Sequence, residues 1–435
     1  MNKLNDLLLT LRGIGKYYWF LKKSQSFSDD EIISYQSKWL SILLLHAHKN
    51  IPWYSTLFRE HGIDINSVNP LQELKKIPIL TKEQVRAHHA DFCISGIAKG
   101  SVKFSTSGTT GEPLTAYTSF NQWVLEQGVI WRHWKSAGYN FRDRIAIFRS
   151  YSPMEGEPLL KVDRLRNWTY FSVFDMNDEA INSYVKYLQE WKPKFLRGYP
   201  SALNLIAEHA LRNGWTLPSL MGAFSASEVV PETLRKNLND AFGIELFDHY
   251  GQAEITCMFH ECEDHSGMHV NWEYGVVELL PTADKDVFKI IATNLHNLSM
   301  PLIRYDTGDL AVGNWESCNC MRSSLKIKAI RGRQDEYLYM SDQSRTSPTN
   351  LYTYFSKLDE IQQFQLIQEK FGELTVLLRL NGVVTDQKWS EISSRVMEEL
   401  ASKTRLAIHC PRHFDFVQSS EGKFQTFVQR IKNAN

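Results

Sequence analysis

The chain has 435 residues, 43% of them hydrophobic, and its 49 lysines and arginines are balanced by 49 aspartates and glutamates. That length exceeds the size at which a single core usually splits, so two or more domains are expected. The balanced charge excludes a global field that would draw the protein to nucleic acid or an anionic membrane, leaving a small ligand as the default partner.

Six cysteines make no disulfide framework. The opening MNKLNDLLLTLRGIGKYYWFLKK is interrupted by Asn5, Asp6 and Arg12 too early for a signal-peptide core or a membrane span, so a cytoplasmic protein without membrane insertion is expected. Helical stretches such as SKWLSILLLHAHK occupy the first hundred residues and are expected to cover the core. At 104–114 comes FSTSGTTGEPL, a loop by composition. RIAIF (144–148), GAFS (222–225) and IELF (244–247) read as short strands. Between them, residues 178–190 set Ile181, Tyr184, Val185 and Leu188 on one helical face. Ser201 is expected to cap a second helix carrying Leu203, Ile206, Ala207 and Ala210. Strand and helix alternate as an α/β domain requires, and residues 275–312 look richer in strand.

After residue 335 the pattern changes. YLYM reads as a strand, Ser347-Pro348 as a helix start, and QFQLIQ and LTVLLRL as a hairpin around Gly372. A helix from Trp389 to Leu400 and the strand LAIHC complete a small α+β unit. The expected division is 1–334 and 335–435, with a hinge between Arg333 and Glu336.

Phosphate-holding loops need inward backbone N–H groups, small side chains and hydroxyl donors, and STSGTTGEP offers all three. It lacks the Gly-Lys-Ser/Thr ending of the common P-loop, which sets that NTPase chemistry aside. Four further stretches follow in order: YGQAE (250–254), RYDTGDL (304–310), RGRQDEY (331–337) and EGKF (421–424). With the loop they resemble the adenylate-forming superfamily of acyl-CoA synthetases. The nearest likeness, in MPLIRYDTGD and the compact C-terminal unit, is to the phenylacetate-CoA ligase branch and its polysaccharide-biosynthesis relatives.

The resemblance implies an α/β fold, with a large N-terminal adenylation domain of layered sheets and helices and a small mobile α+β C-terminal domain. It implies that Ser105, Thr106, Ser107, Gly108, Thr109, Thr110 and Gly111 hold the β- and γ-phosphates of ATP. Tyr250 would lie against adenine, with Gly251 and Gln252 beside it, and Glu254 would meet Mg²⁺. The SASE segment, with Ser227 and Glu228, would line the adenine pocket; Asp309 and Arg333 would bind the ribose; Asp335 would be the pivot and Lys423 the catalytic lysine. Such chemistry needs these groups, because a carboxylate attacking the α-phosphate brings negative charge to negative charge, which Mg²⁺ and a positioned cation must neutralise.

Cys262, His269, Cys318 and Cys320 form a Cys₃His set suited to a closed structural zinc site, with Cys257, His260 and His265 as competing ligands and plain burial as the alternative. Relatives that use CoA continue after the hinge into a glycine-containing segment that guides pantetheine; here YLYMSDQSRTSPTN has no glycine, which puts CoA in question. The acyl pocket is expected between the loop, LRGYPSA (196–202) and SASE. Arg149, Arg197 and Tyr199 are its candidates, beside Trp131, His133 and Trp134; each arginine could instead pair with a surface acid. Three functions compete: a ligase passing an acyl group to an amine or hydroxyl, in the setting of surface-polysaccharide synthesis; an aryl- or acyl-CoA ligase with a thiol acceptor; and a non-catalytic nucleotide-binding module.

Overall fold

A computed structural model describes residues 3–94, 101–105, 114–149, 157–173, 178–227, 232–282, 285–331, 338–342, 344–346, 354–355, 360–380, 384–414 and 427–431, with single positions between them. The N-terminal region is helical, as its periodicity predicts: α1 (Lys3–Lys23), α2 (Asp29–Asn50), α3 (Pro52–Glu60), α4 (Pro70–Lys76) and α5 (Lys82–Ala87). A capping box starts α2, in which Ser28 accepts from the Glu31 N–H and the Glu31 carboxylate accepts from the Ser28 N–H. Leu40, Leu43, Leu44 and Ala47 from α2 join Tyr54 and Phe58 in a core shared with Leu302, Ile303 and Tyr305. The Tyr54 hydroxyl donates to Pro301 O at 3.1 Å and accepts from Ile303 N–H at 3.0 Å. One side chain thereby satisfies two buried backbone groups far away in sequence.

Strands β1 (Ser101–Ser105) and β2 (Thr115–Ser119) pair antiparallel, and Ser119 caps the long helix α6 (Phe120–Ser136) by accepting from Gln122 N–H. The main sheet has nine strands in the order β14-β10-β9-β8-β7-β6-β3-β5-β4. Its members are β3 (Ile145–Phe148), β4 (Leu160–Asp163), β5 (Trp168–Phe171), β6 (Phe195–Gly198), β7 (Gly222–Ala226), β8 (Leu246–Gly251), β9 (Met258–Glu261), β10 (Met268–Val270) and β14 (Lys326–Ile327). The run from β8 to β5 is parallel, and antiparallel pairings extend both ends.

Side-chain alternation gives the parallel strands two buried faces. Ala146, Phe148, Leu196, Ala223 and Leu246 pack with α7 (Asp178–Trp191), α8 (Pro200–Asn213) and α9 (Glu232–Phe242). Ile145, Ile147, Phe195, Phe224 and Phe247 pack on the other face with Trp134 of α6. Helix α7 follows the amphipathic pattern read from the sequence. Helix α8 differs from expectation: it begins at Pro200, with Tyr199 at the cap position and no side-chain cap, because the fixed φ of proline favours the first helical position over a Ser201 cap. IELF is also shifted, since pairing with β7 starts the strand at Leu246 and carries it on to Gly251.

A second, antiparallel sheet occupies the strand-rich region, in the order β11 (Gly275–Pro281), β12 (Val287–Asn294), β13 (Tyr305–Val312) and β15 (Ala329–Arg331). YLYM contributes only β16 (Leu338–Tyr339), which pairs with β17 (Arg345–Thr346). The expected hairpin forms as β18 (Ile361–Gln368) and β19 (Glu373–Leu380), flanked in parallel by β21 (Phe427–Gln429) and β20 (Ala407–His409). Helix α10 (Asp386–Thr404), capped by Thr385, buries Trp389, Ile392, Val396 and Leu400.

Candidate active site

The neighbours of β3 are β5 on one side and β6 on the other, so strand order reverses between β3 and β6. In open parallel sheets ligands bind at the carboxyl ends of strands at such a switch. Arg149 directly follows β3, Arg197 lies in β6 and Tyr199 follows it, Ser227 follows β7, and Tyr250 and Gly251 close β8.

On one side of this crevice the polar groups satisfy one another. Tyr250 OH donates to Asp309 Oδ2 at 2.7 Å, which links β8 of the main sheet to β13 of the second. Burial, reinforced by the Asp309 charge, holds the Tyr250 phenol well above its ordinary pKa. The Gln252 amide donates to Cys257 Sγ at 3.4 Å. Glu254 is 7% exposed, and its Oε1 accepts from Lys82 Nζ at 2.9 Å and Tyr305 OH at 3.0 Å. Burial alone would raise this carboxyl, but the Lys82 charge and the two hydrogen bonds outweigh it and leave it below its ordinary value. The next residue, Ile255, has φ 55°, a left-handed backbone that is rare for a β-branched side chain and costs of order 1–3 kcal/mol. Its N–H bonds Gln252 O at 3.0 Å and its carbonyl accepts from the Asn294 amide, so surrounding bonds hold the strained turn that presents Glu254.

Ser227, exposed just beyond β7, also lies at positive φ, 76°. Ser225 in β7 donates to Asp248 Oδ1 at 2.6 Å, and burial with the nearby Glu261 raises Asp248 to about 8. Ser105 ends β1 opposite Thr115, so the backbone on both sides of the serine-threonine loop is joined. Thr106, Ser107, Gly108, Thr109, Thr110, Gly111, Glu228, Arg333, Asp335 and Lys423 lie outside the described residues, as does the Ser347 half of the expected helix start.

The other side of the crevice is cationic and unsatisfied. The Arg197 guanidinium lies 4.8 Å from the Trp134 ring centroid, and that of Arg149 lies 5.6 Å from the Tyr199 centroid. Among the described residues neither arginine has an acidic partner. Arg197 Nε is buried without a hydrogen bond, and burial together with Arg149 lowers the guanidinium to about 9. Gly198 makes this crowding feasible, because a Cβ there would stand 2.8 Å from Phe148 O. His133, 1% exposed, and His249 have ring centroids 5.6 Å apart, and His133 Nε2 and His249 Nδ1 have no partner. Burial first, then Arg322, Arg132 and Arg197, lowers His133 to about 3; burial, His133 and Arg197 likewise hold His249 well below its ordinary value. Trp134 is buried in the core, and Trp131 is partly buried against Tyr139.

The sequence reading missed Lys82, Tyr305 and His249. Lys82 opens an ordinary capped helix 172 residues before its partner, which leaves no local signal. His249 was legible by position: it precedes Tyr250, so alternation in β8 turns it to the α6 face.

Cys262, His269, Cys318 and Cys320 come together with their ligand atoms all within 4.8 Å of one another. Cys262 follows β9, His269 lies in β10, and both other cysteines come from the loop between β13 and β14. Cys262 Sγ is 3.7 Å from Cys318 Sγ, and Cys320 Sγ is 3.4 Å from His269 Nε2. A tetrahedral zinc at about 2.3 Å from sulfur and about 2.0 Å from nitrogen sets these spacings at about 3.8 and about 3.5 Å, so the donor set fits. His269 Nδ1 bonds Ser324 O at 2.7 Å, which leaves Nε2 as the ligating nitrogen. Cys257, His260 and His265 stand outside this group.

The chain is similar to several known proteins. Residues 104–279 match the family described as AMP-binding enzyme. The chain is 24% identical over 397 residues to a phenylacetate-coenzyme A ligase of Thermus thermophilus, covering 88% of both chains. It is 21% identical over 432 residues to Protein CapK of Staphylococcus aureus, covering 96% of this chain and 93% of that protein. A crystal structure of 2-hydroxyisobutyryl-CoA ligase, in complex with 2-HIB-AMP and CoA, superposes with a TM-score of 0.59 at 16% identity, over 94% of this chain and 92% of that one. That likeness shows the shared fold. Over residues 104–279 the chain thus matches an AMP-binding enzyme, and along most of its length it is similar to phenylacetate-coenzyme A ligases and to CapK.

Proposed function

We propose that the protein activates a small carboxylic acid at the expense of ATP and transfers the acyl group to an amine or hydroxyl acceptor, in the setting of surface-polysaccharide synthesis. The acid's carboxylate oxygen bonds to the α-phosphorus of ATP, the bond to the β-phosphate oxygen breaks, and pyrophosphate leaves. The observation that carries this reading is the Tyr250–Asp309 bond, which brings the expected adenine-facing and ribose-facing residues to one place across two sheets. Ser105 through Gly111, Ser227, Glu228, Gly251, Gln252 and Arg333 complete the nucleotide site in this reading, and Lys423, brought in about Asp335, supplies the cation. Glu254 would hold Mg²⁺, which shields the phosphates from the incoming carboxylate. Arg149, Arg197 and Tyr199 bind the acid, and the Cys₃His group holds a structural zinc.

A second reading, transfer to the thiol of CoA, is favoured by the phenylacetate-coenzyme A ligases among the relatives. Exchange of labelled pyrophosphate into ATP, screened over amino acids, uronic acids, aryl acids and fatty acids, tests the first step common to both. Product formed from an amine or hydroxyl without CoA supports the first reading, and consumption of CoA supports the second. ATP binding with no exchange for any acid would reject both in favour of a nucleotide-binding module.

A further inference from the structure

We infer that the acid substrate carries a second anionic group, a carboxylate or a phosphate, at the end remote from the reacting carboxylate, and that Arg197 and Arg149 receive it. This rests on the adenylation reading above for which end reacts, but the binding argument stands on the crevice alone.

Arg197 and Arg149 close neighbouring strands, β6 and β3, at the switch point, and among the described residues no carboxylate faces either one. Withdrawing an unpaired cation from water costs several kcal/mol, and placing a second cation beside it adds repulsion. Stacking on Trp134 or Tyr199 returns only about 0.5–2 kcal/mol. A fold keeps such an uncompensated pair where an anion is to arrive, and two forked guanidiniums match the planar oxygens of a carboxylate or phosphate. His133 Nε2 and His249 Nδ1, buried and unpartnered in the same region, offer neutral hydrogen-bonding positions for the polar body of the same molecule.

The nucleotide does not account for these arginines. Tyr250 is next to His249 in β8 and faces the opposite way, to Asp309, while Glu254 has Lys82 as its cation. Tyr250 thus leaves β8 on the face opposite to His249, whereas Arg197, stacked on Trp134 of α6, lies on the His249 side; this suits a substrate whose reacting carboxylate reaches the α-phosphate while its other end stays by the arginines.

The test pairs monoacids with acids bearing a second charge: butyrate with glutarate, phenylacetate with 4-carboxyphenylacetate, and gluconate with 6-phosphogluconate. Binding is measured by calorimetry and turnover by pyrophosphate exchange, on the full-length protein. The doubly charged member of at least one pair should bind at least about tenfold more tightly, and Arg197→Met should collapse that ratio. Arg197→Lys should keep part of it, and Arg149→Met serves as a second variant should Arg197→Met lose its circular-dichroism signature of folding. The carboxylate and phosphate arms show which anion is meant. Equal affinity within every pair, or a ratio unchanged in both methionine variants, overturns the inference. Doubly charged acids that bind through Arg197 without supporting exchange would sustain it while removing the ligase reading; exchange with monoacids alone would do the reverse.

Discussion

The two sides of the crevice differ in how their polar groups are satisfied. On the side proposed for the nucleotide, Tyr250 is bonded to Asp309 and Glu254 to Lys82 and Tyr305. On the side proposed for the acid, Arg197 Nε, His133 Nε2 and His249 Nδ1 are buried with no hydrogen bond among the described residues. The strained backbone at Ile255 belongs to the satisfied side, where surrounding hydrogen bonds can hold it. Preorganised groups serve a ligand component that never varies, whereas unsatisfied groups make selectivity, because a wrong occupant leaves them unpaired.

The comparison breaks most severely where charge must appear only during reaction. Replacing Lys423 with Ala should lower pyrophosphate exchange by about 10²–10³-fold while ATP affinity changes little, since a cation acting in the transition state contributes little to ground-state binding. Near-normal exchange would remove Lys423 from the mechanism. Lys82→Met addresses the satisfied side directly. It strands a carboxylate that is 7% exposed and should cost about 3 kcal/mol of unfolding free energy in urea at neutral pH. Because the folded value of Glu254 lies below its unfolded one, the pair's stabilisation is complete above the ordinary glutamate range and fades as pH falls through the folded value. The gap between wild type and variant should therefore close at acid pH; a gap independent of pH would mean that Lys82 acts through packing.

Cys318→Ser is a perturbation away from both sides. It should reduce bound zinc from one equivalent toward none in elemental analysis and lower the melting temperature by about 5 °C. Native protein without zinc would end the metal assignment. The smallest effect sharpens the comparison: Asp309→Asn keeps an acceptor for Tyr250 but removes the charge, so KM for ATP should rise about tenfold with selectivity among acids unchanged. A change in acid selectivity would show that the two sides are not separate.

Much of this arrangement was legible in the sequence where information is local. Apolar spacing gave α7 and the β18–β19 hairpin, and short ordered motifs gave Tyr250, Glu254 and Asp309. The four zinc-type ligands were readable from residue type alone, although their assembly depends on a loop returning about fifty residues later. Pairings between distant elements were not legible. Lys82 reads as a solvated residue after a capping threonine until β13 and the Glu254 turn are folded against α5. Nor does sequence reveal that Arg149 and Arg197 have no acidic partner among the described residues, since that depends on which side chains face them.

The Tyr54 hydroxyl, bonded to Pro301 and Ile303, has a consequence during synthesis. Its partner carbonyl lies 247 residues downstream. At about 5–20 residues per second, roughly 12–50 s pass between the emergence of the two. Throughout that interval Leu40, Leu43, Leu44 and Phe58, which end in a core with Leu302 and Ile303, have no final surface to cover them. On the ribosome this segment exposes apolar surface of the kind that chaperones bind until the later residues emerge.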